Sequence, residues 1–367
     1  MIKRVFYAIL LILCVACFSG CTNKNDIATI QFASWGSKTE IDILKPILKD
    51  FELNNPDIKI EFMHIPQNYF QKIHLLFASN TAPDVIFINN LYLPVYANAN
   101  LLEELETNDN FYKQTLEALS LENKLYALPR DISNLVIFYN KDLFNKKSIP
   151  YPDKNWDMED FLSIAQKLTD KNTFGISFEE EPLFYLPYIM SFCGGILPDH
   201  IQKQETQEAI NFYADLRNKY HVAPKNNEIA SATMAQMFLQ EKIGMYLSGR
   251  WMVPKLKEEA KFEWDIINFP NGECGSVVQA DASGWAITKN SKNKTEALKF
   301  IKYLSSREVS EKLVKSGLIT PARYDVSDTD YIIFNEVVKT SKPTPVTTNY
   351  KEITDKLKKD LEKTFNM

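Results

Sequence analysis

Two α/β lobes, each built on a mainly parallel sheet flanked by helices, are the fold class the sequence predicts, on three observations. The chain has 367 residues, where one domain ordinarily takes about 100 to 200. Its 45% hydrophobic and 24% charged residues give the balance of a globular protein with a large buried core. Most directly, short strand-like runs alternate with stretches of helical apolar spacing along the chain, the pattern of βαβ units.

The elements follow in order. Residues 28–35 alternate through Ile30 and Phe32 and run into Ser34-Trp35-Gly36, a strand ending in a turn. Ile41, Leu44, Ile47, Leu48 and Phe51 then recur at helical spacing, and Pro56 closes that element. Residues 58–63 read as a second strand, 69–78 as a helix, and 85–88 as a continuous apolar run suited to a buried parallel strand. Later come a strand over 135–139, a helix over 158–168 after Trp156-Asp157, and a strand over 174–178. Helices are expected over 205–219 and 232–240, and strands over 243–247 and 262–268. A glycine turn leads into a strand at 285–288, followed by helices over 295–304 and 310–315. Ile353, Leu357, Leu361 and Phe365 fall every four residues in a closing helix whose lysine-rich outer face is solvated.

Residues 1–20 read as a targeting segment. Lys3 and Arg4 precede an apolar stretch over 5–18 that is short for a membrane span. Phe18-Ser19-Gly20-Cys21 resembles a bacterial lipobox, with Phe18 where leucine is usual; it implies cleavage before Cys21 and a lipid on the Cys21 thiol, the alternative being an uncleaved anchor helix. Residues 21–26 are then a polar tether, and loss of Lys3 and Arg4 takes the net charge from −5 to −7. Cys14 and Cys17 leave with the signal. Cys193 and Cys274 remain, as a disulfide or as two buried thiols.

Several functions are excluded. Glycine is scarce at 11 residues and no G-x-G-x-x-G occurs, so no dinucleotide fingerprint exists. The net charge of −5 without a long basic block gives no footprint for nucleic acid. Four histidines without metal-ligand spacing argue against a histidine-rich metal site. Residues 244–249 have P-loop glycine spacing, but Arg250-Trp251 stands where Lys-Ser/Thr is required. No cofactor is expected.

A set of short segments resembles the family 1 extracellular solute-binding proteins, the maltose-binding type that serves ABC sugar importers. They are Pro83-Asp84-Val85-Ile86-Phe87 with Leu101-Leu102-Glu103-Glu104-Leu105, Leu125-Tyr126-Ala127-Leu128-Pro129-Arg130-Asp131, and Phe138-Tyr139-Asn140-Lys141-Asp142-Leu143-Phe144. Trp156-Asp157, Glu181-Pro182, Gly194-Gly195, Ile243-Gly244-Met245, Ser248-Gly249-Arg250-Trp251 and Ser283-Gly284-Trp285-Ala286-Ile287 follow in the family's order. The resemblance implies a two-lobed type II periplasmic-binding-protein fold with a ligand cleft and hinge. Lobe one would take 27–131 plus 280–320 and lobe two 132–279 plus 324–367, with crossings near 131–134, 279–283 and 320–323. It also implies no enzyme but a monomeric lipoprotein, anchored outside the cytoplasmic membrane or in the periplasm, that delivers a mono- or oligosaccharide to a permease with a separate ATPase subunit.

A sugar site needs aromatic platforms and planar polar groups. Trp35 follows the first strand, where α/β sheets place ligands; Trp251 and Trp285 follow small-residue turns, and for each the alternative is a core role. Asn89 and Asn90 end an apolar strand and offer amides that donate and accept, or serve a turn. Asp131 and Ser133 sit at the first expected crossing, Ser283 and Gly284 at the second, and Gln67 follows Pro66. Glu181 faces the cleft in the maltose-binding type, but Leu183 stands where that type stacks a tyrosine; Phe184, Tyr185 or Tyr188 would have to substitute. Arg323, at the third crossing, and Arg250 either fork onto an acidic or phosphorylated solute such as a glycerophosphodiester or sugar acid, or bridge the lobes. A polysaccharide hydrolase would need two neighbouring carboxylates, drawn from Asp131, Glu181 and Asp281.

Overall fold

The computed structural model describes residues 27–229, 231–327 and 329–367; the expected signal segment, the expected tether and Cys21 lie outside the described residues. Two sheets form. In the first, β1 (Ala28–Ser34), β2 (Ile58–His64) and β3 (Val85–Asn89) run parallel in the order β2-β1-β3. The helices α1 (Lys38–Asn54) and α2 (Tyr69–Ala78) make their crossovers. Ser37 caps α1 in a reciprocal capping box with Glu40, and its buried stripe is the one the spacing predicts: Ile41, Leu44, Ile47, Leu48 and Phe51.

This sheet is mixed rather than mainly parallel. β4 (Leu128–Ser133) lies antiparallel to a strand from far along the chain, Gln279–Ile287, which also pairs antiparallel with β3. The second sheet holds β5 (Leu135–Asn140), β6 (Phe174–Ile176), β7 (Ile243–Gly249) and β8 (Trp264–Ile267), in the order β8-β5-β7-β6. Here β6 and β7 are parallel, whereas β5 is antiparallel to both its neighbours. The strand Gln279–Ile287 is β9, and β10 (Lys342–Pro343) joins its first residues. Gly284 is inside β9 at a bulge, not in a turn before a strand: a Cβ there would stand 2.4 Å from the Leu128 carbonyl oxygen.

Buried apolar residues divide into two clusters with no member in common. One draws on residues 30–128 and 282–326, the other on 135–278 and 334–365. In the second, α3 (Met158–Leu168) and α4 (Pro182–Ser191) pack beside α5 (Gln204–Asn218), and the closing helices are α10 (Ile332–Thr340) and α11 (Tyr350–Phe365). Between them in chain order lie α6 (Met234–Leu239), α7 (Val253–Glu259), α8 (Lys294–Leu304) and α9 (Arg307–Lys315). Cys193 and Cys274 form a disulfide with their Cα atoms 5.2 Å apart, which settles the open choice between bridge and thiols. No described helix is long and apolar enough to cross a membrane.

Candidate functional site

Strand register brings the candidate residues together. Asn89, the last residue of β3, pairs with Ser283, which also pairs with Asp131 of β4; Gly249, the last residue of β7, pairs with Leu135, the first of β5. Only Asn134 separates β4 from β5. The carboxyl ends of the parallel strands in both sheets therefore converge on the crossing segments, the place where α/β sheets put ligands.

On the first core, Trp35 follows β1 and is 44% exposed. Its ring leans on Phe87, Phe70 and Tyr69 at centroid distances of 5.5, 6.1 and 6.3 Å. The loop that carries it is fixed: Gly36 has φ +135°, a conformation glycine adopts without strain, and its carbonyl meets the His64 ring at 2.9 Å. Ser37 N–H donates to Glu40 Oε2 at 3.0 Å, and Glu40 Oε1 lies 3.6 Å from Arg130 Nη2. Arg130 donates to Asp131 at 2.8 Å. Ser34, Trp35, Glu40, Phe87, Arg130 and Trp285 surround a recess of ≈ 10 Å³. Arg130 and Glu40 were not singled out from sequence. Arg130 adjoins Asp131 in the Leu-Pro-Arg-Asp segment, and Glu40 is the acidic member of the capping box; both were readable as fold signals only.

On the second core, Trp251 is half-buried and its ring folds back over Gly249, where an added Cβ would sit 2.0 Å from a ring carbon. Glu181 precedes α4 and pairs with Lys358 of α11. Glu179, also missed, is half-buried near the end of β6; burial first, and then the charge of Glu181, push its carboxyl up to about 7. Nothing in the bare sequence separated it from its acidic neighbours Glu180 and Glu181. The two cores touch directly, Thr39 donating to Glu258 at 3.2 Å and Lys351 Nζ lying 5.2 Å from the Tyr92 ring.

Asn90 and Asn89 are engaged inside the protein. Asn90 donates to Asp281 at 2.9 Å and accepts from Ala282 N–H, and Thr344 also donates to Asp281. Burial still holds the Asp281 carboxyl above its ordinary range against those bonds. Asn89 accepts from Tyr92 N–H at 3.1 Å in an Asx turn. Ser133 is half-buried at the end of β4, and Gln67 is exposed beyond β2.

Three expectations are corrected. Trp285 is not a cleft platform: it is 1% exposed and meets Phe32 and Phe87 edge-on in the first core, because its position on the central strand β9 points it among helices and strands. Arg323 does not present its fork outward. It is 5% exposed, grips Asp325 through Nε at 2.9 Å and Nη2 at 3.0 Å, and donates to the Ser305 carbonyl. Tyr185 and Tyr188 are core residues of α4 and do not replace the missing stacking tyrosine, whereas Phe184 stays half-buried. Arg250, undecided from sequence, is 2% exposed with its guanidinium 4.5 Å from the Tyr331 ring and 5.2 Å from the Phe334 ring. Among the described residues no cluster of His, Cys, Asp or Glu is arranged to hold a metal.

The comparisons agree with this architecture. The chain is 26% identical over 328 residues to the multiple sugar-binding protein of Streptococcus mutans, covering 79% of this chain and 74% of that one. It superposes on the ABC substrate-binding protein of Listeria monocytogenes in complex with cycloalternan with a TM-score of 0.86 and 25% identity, over 93% of this chain and 94% of the other. The Thermus thermophilus maltotriose-binding protein, bound with maltotriose, shares the fold at a TM-score of 0.75 and 22% identity, over 91% and 99% of the two chains. The sequence profile of the bacterial extracellular solute-binding proteins matches residues 47–340, and to that family the chain belongs.

Proposed function

We propose that this solute-binding protein captures a carbohydrate between its two cores and delivers it to the permease of an ABC importer, whose ATPase is a separate subunit. The observation that carries the reading is Trp35: a large ring 44% exposed on a bed of three aromatic rings, beside the planar groups of Glu40 and Arg130. An apolar face next to planar donors and acceptors matches a pyranose, which offers a flat C–H face ringed by hydroxyls. Trp251, Glu179 and Glu181 form the opposing wall, with Gln67, Asn89 and Ser133 at the rim. The sugar-binding names of the relatives support the same reading.

The lobes in this reading are 27–131 plus 280–320 and 132–279 plus 324–367, close to the partition of the two cores. A solute touching both walls favours the closed arrangement by its differential affinity for it, and the crossings absorb the backbone change. The protein acts as a monomer, held at the outer face of the cell membrane by lipid on Cys21.

The acidic-solute alternative loses support because Arg323 is committed to Asp325 and Arg250 is sandwiched between rings. A hydrolase loses support because Asp131, Asp281 and Glu181 each hold structural partners. Thermal-shift titration of the mature chain against glucose, maltotriose, raffinose, galactooligosaccharides, glucuronate and glycerophosphocholine tests the reading. A sugar at about 100 to 1,000 times its Kd stabilises by roughly 3 to 4 kcal/mol. A shift from glycerophosphocholine or glucuronate with silence from every neutral sugar would overturn it.

A further inference from the structure

The recess beside Trp35 carries one more inference. Trp285 lines it, is 1% exposed, and its indole Nε1–H has no acceptor among the described residues. A buried donor without a partner is costly and rare in native folds. At the same recess Arg130 Nη2 and Glu40 Oε1 form an ion pair at 3.6 Å, too long for a direct hydrogen bond, so both groups keep hydrogen-bonding capacity for an oxygen beside them. The recess measures ≈ 10 Å³, about what a single water oxygen needs.

We propose that the recess is a hydroxyl-oxygen site: one oxygen accepts from Trp285 Nε1–H and Arg130 and donates to Glu40, supplied by water in the free protein and by a solute hydroxyl when sugar is bound. The second half rests on the carbohydrate reading above. Two donors and one acceptor around a single oxygen are the complement of a hydroxyl or a water, and no anion suits a recess that includes the Glu40 carboxylate. Trp285 then takes part in recognition through its ring edge, although its faces belong to the core. Arg130 and Glu40 gain a role beyond holding the Trp35 loop.

The test follows the five indole N–H signals of ¹⁵N-labelled mature protein, together with a high-resolution crystal structure of the free protein. Expected in the free state are an ordered oxygen about 3 Å from Trp285 Nε1 and a cross-peak between that indole proton and water. No oxygen and no cross-peak overturns the site. Maltotriose and raffinose are then titrated. Movement of the Trp35 signal reports binding in the cleft, and movement of the Trp285 signal reports the recess. Trp35 moving while Trp285 stays still overturns the solute half alone; neither moving counts against the carbohydrate reading, and the free-state data then decide the water half. Trp285→Phe, which removes the N–H and keeps an aromatic ring, is expected to weaken the sugar that binds by roughly tenfold. Should that variant not fold, Glu40→Gln serves: it is expected to shift the Trp285 indole signal of the free protein and to weaken the sugar that binds. Unchanged affinity and an unchanged Trp285 signal in Glu40→Gln would likewise overturn the site.

Discussion

The Ser283 hydroxyl donates to Asp131 Oδ1 at 2.7 Å, tying together two antiparallel strands at the point where β4 leaves the first core for the second and β9 returns from the second to the first. The same oxygen accepts from the Ser283 N–H at 3.3 Å, and the other oxygen of Asp131 is taken by Arg130. The carboxylate is thus shared between a strand-to-strand clasp and the wall that bears Trp35.

Ser283→Ala removes the strongest bond of this clasp while leaving the strand pairing. A buried charge-assisted hydrogen bond is worth about 1.5 to 3 kcal/mol, and the loss appears as a lower urea midpoint at unchanged m-value.

Trp35→Ala is expected to separate binding from stability. The ring is half out of the core, so its removal costs little folding free energy, whereas truncating a central aromatic contact costs about 2 kcal/mol or more of binding, roughly 30-fold in Kd. Calorimetric titration beside a melting curve reads both.

Glu179 makes stability depend on pH. Its folded-state carboxyl titrates at about 7, above the ordinary 4.5. The folded protein therefore binds more protons than the unfolded chain between those values, and stability falls as pH rises from about 4.5 to about 7, then levels off. Glu179→Gln flattens this segment, giving a melting temperature above wild type at pH 8 and close to it at pH 5.

Reducing the disulfide tests the second core. Cys193 and Cys274 are 81 residues apart in sequence, and the chain-entropy model assigns a loop of that length about 4.5 kcal/mol. Unfolding in denaturant with and without a thiol reductant measures it, and the Cys193→Ser/Cys274→Ser double variant is expected to match the reduced protein.

Periodicity was legible wherever one face of an element is buried. α1, α2 and α3 present a single apolar stripe, and each appears within a few residues of where its spacing puts it. α4 escaped because Pro-Leu-Phe-Tyr-Leu-Pro-Tyr-Ile-Met-Ser is apolar on nearly every side, leaving no stripe to read. β9 was read short for another reason: Ala280, Ala282 and Gly284 are small, so its first half lacks the bulky alternation that marks a strand, and at Gly284 the Leu128 carbonyl leaves no room for a side chain. At the site, Trp35 was legible because exposure follows from its place after a strand. The fates of Trp285, Arg323 and Asn90 were not, since each depends on partners remote in sequence: Phe32, Ser305 and Asp281 lie 253, 18 and 191 residues away.

The late arrival of β9 also has a kinetic meaning. The strand that completes the first sheet, between β3 and β4, is made of residues 279–287, so a chain emerging from its amino end presents β3 with an open edge until nearly four-fifths of its 367 residues have emerged. The second core meets the same delay through α11 at the extreme carboxyl end. High contact order of this kind slows folding. Slow closure of both cores suits a member of an extracellular family, which has a membrane to cross.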